Sequence, residues 1–232
     1  MTRPLPSVLP EEIADFNFDE IIDVRSPREF GEDYITGAIN LPVLDDSERS
    51  RVGTVYKEIT PFDARRMGAG LVYANIAGHF RDHFEGKGKD YMPLVYCWRG
   101  GQRSTALATV LSAVGWKAYL LSGGYKAHRR FVSSSLNAIM DRGGDFRIVA
   151  GLTGTGKTLL LQRLMAMGQQ VIDLEGIASH RGSALGYDPA CKQPTQKRFE
   201  NILLENLAAL DLSRPIYLES ESSRIGNLQI RD

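Results

Sequence analysis

Short apolar runs of β type alternate with helical stretches along this chain. A parallel sheet wound with helices is the architecture that such alternation allows. In the first half the β-type runs are residues 21–24, 38–42, 93–97 and 118–121, and the helical stretches are 27–34, 103–114 and 125 to about 140. Within 103–114, Ala106, Leu107, Val110, Leu111 and Val114 share one face, and Gly115 stops the helix. Asp141-Arg142-Gly143-Gly144-Asp145 then carries two glycines and no apolar residue, which is the composition of a linker. After it the alternation restarts, with strands expected at 147–150, 170–174 and 215–219 and helices at 157–167 and 198–210.

Two α/β units are expected, meeting near Gly143 and Gly144. A chain of 232 residues suits that division, at roughly 150 residues per domain. The second unit has room for about three strands where a doubly wound sheet normally has about five. Residues 225–232 follow its last strand as an unfinished segment. It is therefore expected to be the front portion of a larger domain, the C-terminal part being absent and an apolar edge left exposed.

Hydrophobic residues make up 43% and charged residues 24%, values of a soluble globular chain rather than a disordered or fibrous one. The 28 basic residues balance the 28 acidic ones, so bulk charge does not point to nucleic acid, although a local basic face still can. No apolar run reaches the roughly 18 residues that span a bilayer, so no membrane association is expected. Met1-Thr-Arg-Pro-Leu-Pro is broken by prolines and runs into Glu11-Glu12, unlike a signal peptide. With only Cys97 and Cys191 there is no disulfide framework, and a reducing cytoplasm is the expected location.

Cys97-Trp-Arg-Gly-Gly-Gln-Arg103-Ser104 lies between an expected strand and an expected helix. Loop N–H groups and a helix N-terminus converge there, which suits an anion and favours a thiolate. Gly100 and Gly101 let the backbone curl around an oxyanion, Arg103 can present a bidentate fork to it, and Arg99 adds positive charge. Such a loop fits a nucleophilic Cys97 that accepts a group from an anionic donor. Cys191, in Asp188-Pro-Ala-Cys-Lys-Gln-Pro194, lacks that setting and is read as structural.

Gly151-Leu-Thr-Gly-Thr-Gly-Lys157-Thr158 fits G-x-x-x-x-G-K-[ST] without a mismatch, after a strand and opening a helix. Gly151, Gly154, Thr155 and Gly156 shape a phosphate-binding loop, Lys157 places a charge on the terminal phosphates, and Thr158 can reach magnesium. The motif specifies a polyphosphate or diphosphate more firmly than ATP. Asp173 and Glu219 end neighbouring strands and are candidates to line the same crevice, Glu219 near a metal. Arg181, in His180-Arg181-Gly182-Ser183, is a further candidate for touching ligand.

Residues 22–30, Ile-Asp-Val-Arg-Ser-Pro-Arg-Glu-Phe, and residues 35–42, Ile-Thr-Gly-Ala-Ile-Asn-Leu-Pro, resemble the two signatures of the rhodanese family of sulfurtransferases. Cys97 matches that family's sulfur-carrying cysteine, and Leu121-Ser122-Gly123-Gly124 its following strand end. Five residues separate Cys97 from Arg103, where many members have four; the longer loop resembles rhodanese-fold phosphatases and arsenate reductases. Those phosphatases usually place His before the cysteine, where Tyr96 stands here.

The cysteine loop followed by the phosphate-binding loop resembles the tRNA 2-selenouridine synthase family, as does the segment from Gly176 to Gly186. The resemblance implies an α/β fold: a rhodanese-like doubly wound domain over residues 1–143, then a partial P-loop NTPase-like α/β domain over 144–232. It implies selenation of wobble 2-thiouridine in tRNA, with selenophosphate and geranyl diphosphate as substrates, through a geranylated thiouridine. No covalent cofactor is implied. Selenophosphate suits the Cys97 loop, where Cys97 would carry selenium as a selenylsulfide, and the diphosphate suits the P-loop. Lys126, Arg129 and Arg130, with Arg142 and Arg147 beyond them, form the candidate tRNA surface. The competing readings are a rhodanese-fold arsenate reductase or phosphatase, a thiosulfate sulfurtransferase, and an inactive tRNA- or nucleotide-binding module.

Overall fold

The computed structural model describes residues 4–152, 154–180, 192–220 and 224–229. The chain divides into two compact units, Met1–Phe131 and Val132–Asp232. In the first, β1 (Ser7–Val8), β2 (Glu20–Asp23), β3 (Ala38–Asn40), β4 (Pro93–Tyr96) and β5 (Tyr119–Leu121) form one sheet in the order β1-β5-β4-β2-β3. Every pairing is parallel. The helices are α1 (Pro27–Glu32), α2 (Asp46–Glu58), α3 (Pro61–His79), α4 (Gln102–Val114) and α5 (Gly124–Arg142), the last running on past Phe131.

β4 is buried along its whole length, as a central parallel strand must be. Its side chains alternate between two cores. Leu94 and Tyr96 pack with Tyr119, Leu121 and Tyr125, whereas Val95 and Cys97 pack with Ile22, Val24, Leu107 and Leu111. That alternation turns Cys97 towards the side covered by α3 and α4.

The alternation of apolar runs indicates no element between 43 and 92, yet α2 and α3 lie there. α2 buries no residue, so it carries no apolar stripe to read. It is held instead by reciprocal caps: Glu48 N–H donates to the Asp45 carboxylate at 2.8 Å and Asp45 N–H to the Glu48 carboxylate at 2.9 Å. α3 opens on the Thr60 cap with Pro61 in its first turn, and buries Ala64, Gly68, Val72 and Ile76 at intervals of four. Half of that stripe is alanine and glycine, so its hydropathy signal is weak. β1 is too short to announce itself. Arg142, read as linker, instead closes α5, and Gly143 (φ +70°) ends it with its N–H donating to Ile139 O at 3.2 Å.

The second unit holds β6 (Phe146–Val149), β7 (Gln170–Ile172) and β8 (Ile216–Glu219), parallel and in the order β6-β8-β7. Its helices are α6 (Lys157–Ala166), α7 (Leu174–Ala178) and α8 (Gln196–Ala208). Leu174, expected to end a strand, starts α7 because Asp173 caps that helix. Part of the expected unfinished segment pairs as an antiparallel hairpin, β9 (Arg224–Ile225) with β10 (Leu228–Gln229). Ile148, Leu152, Leu159 and Met167 are exposed, so this unit presents uncovered apolar surface beside β6 and α6.

Candidate functional site

Cys97 directly follows β4 and is 3% exposed. Gly101 N–H donates to its Sγ at 3.3 Å, and the Ser104 hydroxyl lies 3.3 Å from the same sulfur, one turn into α4. The hydroxyl also lies 3.1 Å from Gly101 O. It has one proton, so it donates to Sγ when the sulfur is a thiolate and to the carbonyl when the thiol turns its own proton towards Gly101 O. Two donor groups thus lie against one sulfur. Ser104 is fully buried and went unread in the sequence, although its place directly after Arg103 puts it under the loop.

The loop is held from behind by the end of β5 and the start of α5. Tyr125 N–H donates to Cys97 O and Lys126 N–H to Trp98 O, both at 2.9 Å. Gly124 (φ +59°) leaves no room for a Cβ, which would collide with Cys97 O and Gly100 N. Gly100 (φ +66°) is the loop glycine that needs the left-handed region. Gly101 has an extended backbone (φ −101°), and its contribution is the N–H on sulfur rather than the expected curl.

Arg103 does not direct its fork into the loop as expected. Its Nη1 donates to Glu29 Oε2 at 2.6 Å and its Nη2 to Oε1 at 3.2 Å, in a largely buried pair. Burial alone would raise the Glu29 pKa, but the hydrogen bonds and charge of Arg103 outweigh it and hold the carboxyl below its usual range. Glu29 also accepts from Ser26 N–H at the start of α1. Arg99 is exposed on the loop. Beneath these groups lies a buried polar tie. Arg25 donates to Asp23 and to Asp33 O, stacks 3.9 Å above Tyr125, and Tyr125 donates to Asp33 at 2.8 Å. It fixes the strand ends on which the loop rests.

The phosphate-type loop follows β6 and opens α6. Gly154 (φ +83°) and Gly156 (φ +87°) adopt left-handed backbone with open space around them. Thr155 Oγ1 donates to Leu152 O at 2.7 Å and Lys157 Nζ to Gly151 O at 3.0 Å, so both side chains fold onto the loop's own carbonyls. Thr158 is exposed in the first turn of α6. Glu219 lies opposite Val149 across the β8–β6 pairing, directly before the loop, and is buried. Its Oε1 accepts from Glu175 N–H at 2.7 Å, while Asp173 accepts from Gly176 N–H at 2.8 Å. Both carboxylates therefore cap α7. Burial, with the charges of Asp173 and Glu175 behind it, raises the Glu219 pKa.

Of the candidate tRNA surface, Lys126 and Arg130 are exposed one turn apart on α5, while Arg129 is partly buried and its charge acts on Tyr125. Arg147 is paired with Asp145. Arg181 and Cys191 lie outside the described residues.

Residues 5–130 match the family model of the rhodanese-like domain, and residues 144–232 match the model of the tRNA 2-selenouridine synthase AAA domain. Among curated proteins, the chain is 36% identical over 223 residues to a tRNA 2-selenouridine synthase of Nitrosomonas europaea, covering 91% of this chain and 55% of that protein. Over 216 residues it is 39% identical to one of Marinobacter nauticus, covering 89% and 55%. The chain thus spans little more than half the length of these relatives. Among solved structures, the N-terminal domain of a Clostridium difficile 630 protein described as ATP/GTP binding is 34% identical, with a TM-score of 0.50, covering 54% of this chain and 98% of that one. With the rhodanese-like model over more than half of its length, the chain belongs to the rhodanese-like family, and with the second model following in order and these relatives aligned along some nine-tenths of it, it is similar throughout to tRNA 2-selenouridine synthases.

Proposed function

We propose that this chain carries the two sites of a tRNA-modifying transferase that replaces the sulfur of wobble 2-thiouridine by selenium. The observation that carries this reading is Cys97 Sγ, held by Gly101 N–H and Ser104 at the mouth of an anion-type loop, in one chain with a complete phosphate-binding loop. Names of relatives support the tRNA substrate, and with it a cytoplasmic setting.

In the first step the thiouridine sulfur forms a bond to C1 of geranyl diphosphate while the C–O bond breaks, and diphosphate departs with the electron pair. Loop N–H groups and Lys157 stabilise that departing charge. Magnesium fits the neighbouring groups. Thr158 and Glu219 would hold it, since Glu219 Oε2 is buried without a hydrogen-bond partner among the described residues, and it would add positive charge beside the diphosphate. In the second step Cys97 acts on selenophosphate. Attack of the thiolate on phosphorus expels selenide with both electrons of the P–Se bond, and water then returns the phosphocysteine to thiol and phosphate. Selenide adds at C2 of the alkylated base and geranylthiol leaves. This sequence needs no oxidant, whereas a selenylsulfide on Cys97 would need one.

Nucleoside mass spectrometry of tRNA tests the reading, in selenium-fed cells lacking the activity and supplied with this chain or a variant. Selenouridine is expected with the unaltered chain, geranylated thiouridine alone with Cys97→Ser, and neither product with Lys157→Ala. Geranylation that survives Lys157→Ala would remove the diphosphate from the P-loop. Arsenate reduction, aryl phosphate turnover or thiosulfate-to-cyanide transfer outpacing use of selenophosphate would favour a different rhodanese-fold enzyme, and tight tRNA binding without Cys97-dependent chemistry a binding module.

A further inference from the structure

A pocket of about 770 Å³ lies in the first unit between α2, α3 and α4, and no step above uses it. Its buried wall is apolar: Leu44, Ala64, Gly68 and Val72. Its remaining lining includes Arg49, Arg65 and Arg103 and no acidic residue. Tyr56 and Tyr73, both more than half exposed, flank it. An apolar interior beside Arg49 and Arg65, with Arg103 already held by Glu29, complements an amphiphile with a hydrocarbon body and an anionic part. A bare nucleobase fits less well, because reading a base edge needs buried donors and acceptors, and none of the buried lining side chains is polar.

The pocket also has a fixed relation to the sulfur. Gln102, Arg103, Thr105, Ala106 and Thr109 come from the first turns of α4, the helix that begins where the Cys97 loop ends. Cys97 shares one core with Leu44, Val72 and Ala106. A group held here lies beside the chemistry at Cys97.

We propose that this pocket binds the acyclic isoprenyl chain of an S-alkylated 2-thiouridine nucleotide, with Arg49 and Arg65 facing the nucleotide phosphate. The inference rests on the two-step reading above and adds to it a site that recognises the intermediate through its leaving group. An apolar wall gains free energy with each methylene removed from water, so chain length becomes the specificity determinant.

Direct binding tests this with the 232-residue chain. The probes are S-geranyl-2-thiouridine 5′-monophosphate, its S-methyl counterpart and geranyl diphosphate, followed by titration calorimetry. The unaltered chain is expected to prefer the S-geranyl nucleotide over the S-methyl one by about tenfold or more. Ala69→Trp and Thr109→Trp fill the pocket from two exposed positions, and each is expected to abolish that preference while the thermal unfolding midpoint stays put. A preference that survives both substitutions overturns the proposal, as does its absence from the unaltered chain. Loss of geranyl diphosphate binding alone in the two variants would make the pocket the donor site and overturn it equally. The binding result is separable from the reaction: selenouridine forming in cells without the preference rejects the pocket, and the preference without selenouridine rejects the two-step reading.

Discussion

The two anion-type loops of this chain are built in opposite ways. The Cys97 loop is clamped from behind: two N–H groups of α5 hold its carbonyls, Gly124 leaves no space for a methyl, and the sulfur is buried under two donors. The Gly151–Thr158 loop stands in solvent, with Gly154 and Gly156 needing only their backbone freedom and side chains folded onto its own carbonyls. A nucleophile must be held still relative to what it attacks, and rigid packing does that. A loop that wraps phosphate needs N–H groups still open for it, and here Lys157 must first leave Gly151 O to meet its ligand.

Glycine substitutions should break this comparison most sharply. Gly124→Ala forces a clash with backbone as well as a strained φ, and should destabilise the first unit by about 3 kcal/mol or more. Gly154→Ala meets open space and should cost the second unit only about 1–2 kcal/mol, the left-handed penalty alone. Urea unfolding with hydrogen exchange read separately in each unit measures both. Equal costs would mean that the Cys97 loop is not interlocked.

The carboxylates beside the loops sharpen the contrast through pH. Glu29 is held below the usual range, so its pairing with Arg103 stabilises the first unit above the ordinary carboxylate value of 4.5 and is lost as pH falls through the depressed pKa. Glu29→Gln should therefore cost about 1–3 kcal/mol at neutral pH and little in acid. The same substitution releases Arg103 and should tighten binding of phosphate at the Cys97 loop; unchanged phosphate affinity would show that Arg103 does not reach the anion.

Glu219 carries the opposite sign. Its raised pKa means that the protonated acid stabilises the fold, fully below 4.5 and less as pH rises through the folded value. Glu219→Gln should flatten that decline, an effect of about 1 kcal/mol. A second unit that grows more stable as pH rises through this window would contradict the burial argument.

The smallest stability effect belongs to Lys157→Ala. Among the described residues its ammonium donates only to an exposed carbonyl, so the change should stay within about 0.5 kcal/mol while, on the function proposed above, geranyl diphosphate affinity falls by about tenfold or more. Calorimetry beside a urea titration separates the two quantities.

Much of the frame is legible in the residues. Apolar runs of four or five located β2 to β8, Gly115 ended α4 at φ +113°, and both loops fall between a strand and a helix at their motifs. These features depend on neighbours within a few residues. What escaped the reading depends on distant partners or on weak patterns. α2 buries nothing and α3 buries a narrow stripe half made of alanine and glycine, so neither produced a hydropathy period. Glu219 ends β8 as expected and Asp173 directly follows β7, yet what both meet there is the first turn of α7.

The sequence by itself determined where each loop stands, which glycines can turn it and which side chains carry its charge, because strand, turn and helix signals are short-range. Only the tertiary structure decided what those side chains face. Glu29 and Arg103 are 74 residues apart and meet because β2 and β4 are neighbours in the sheet, which brings the starts of α1 and α4 together. The pocket likewise exists only where α2, α3 and α4 pack, since a cavity belongs to the space between elements and no one segment encodes it.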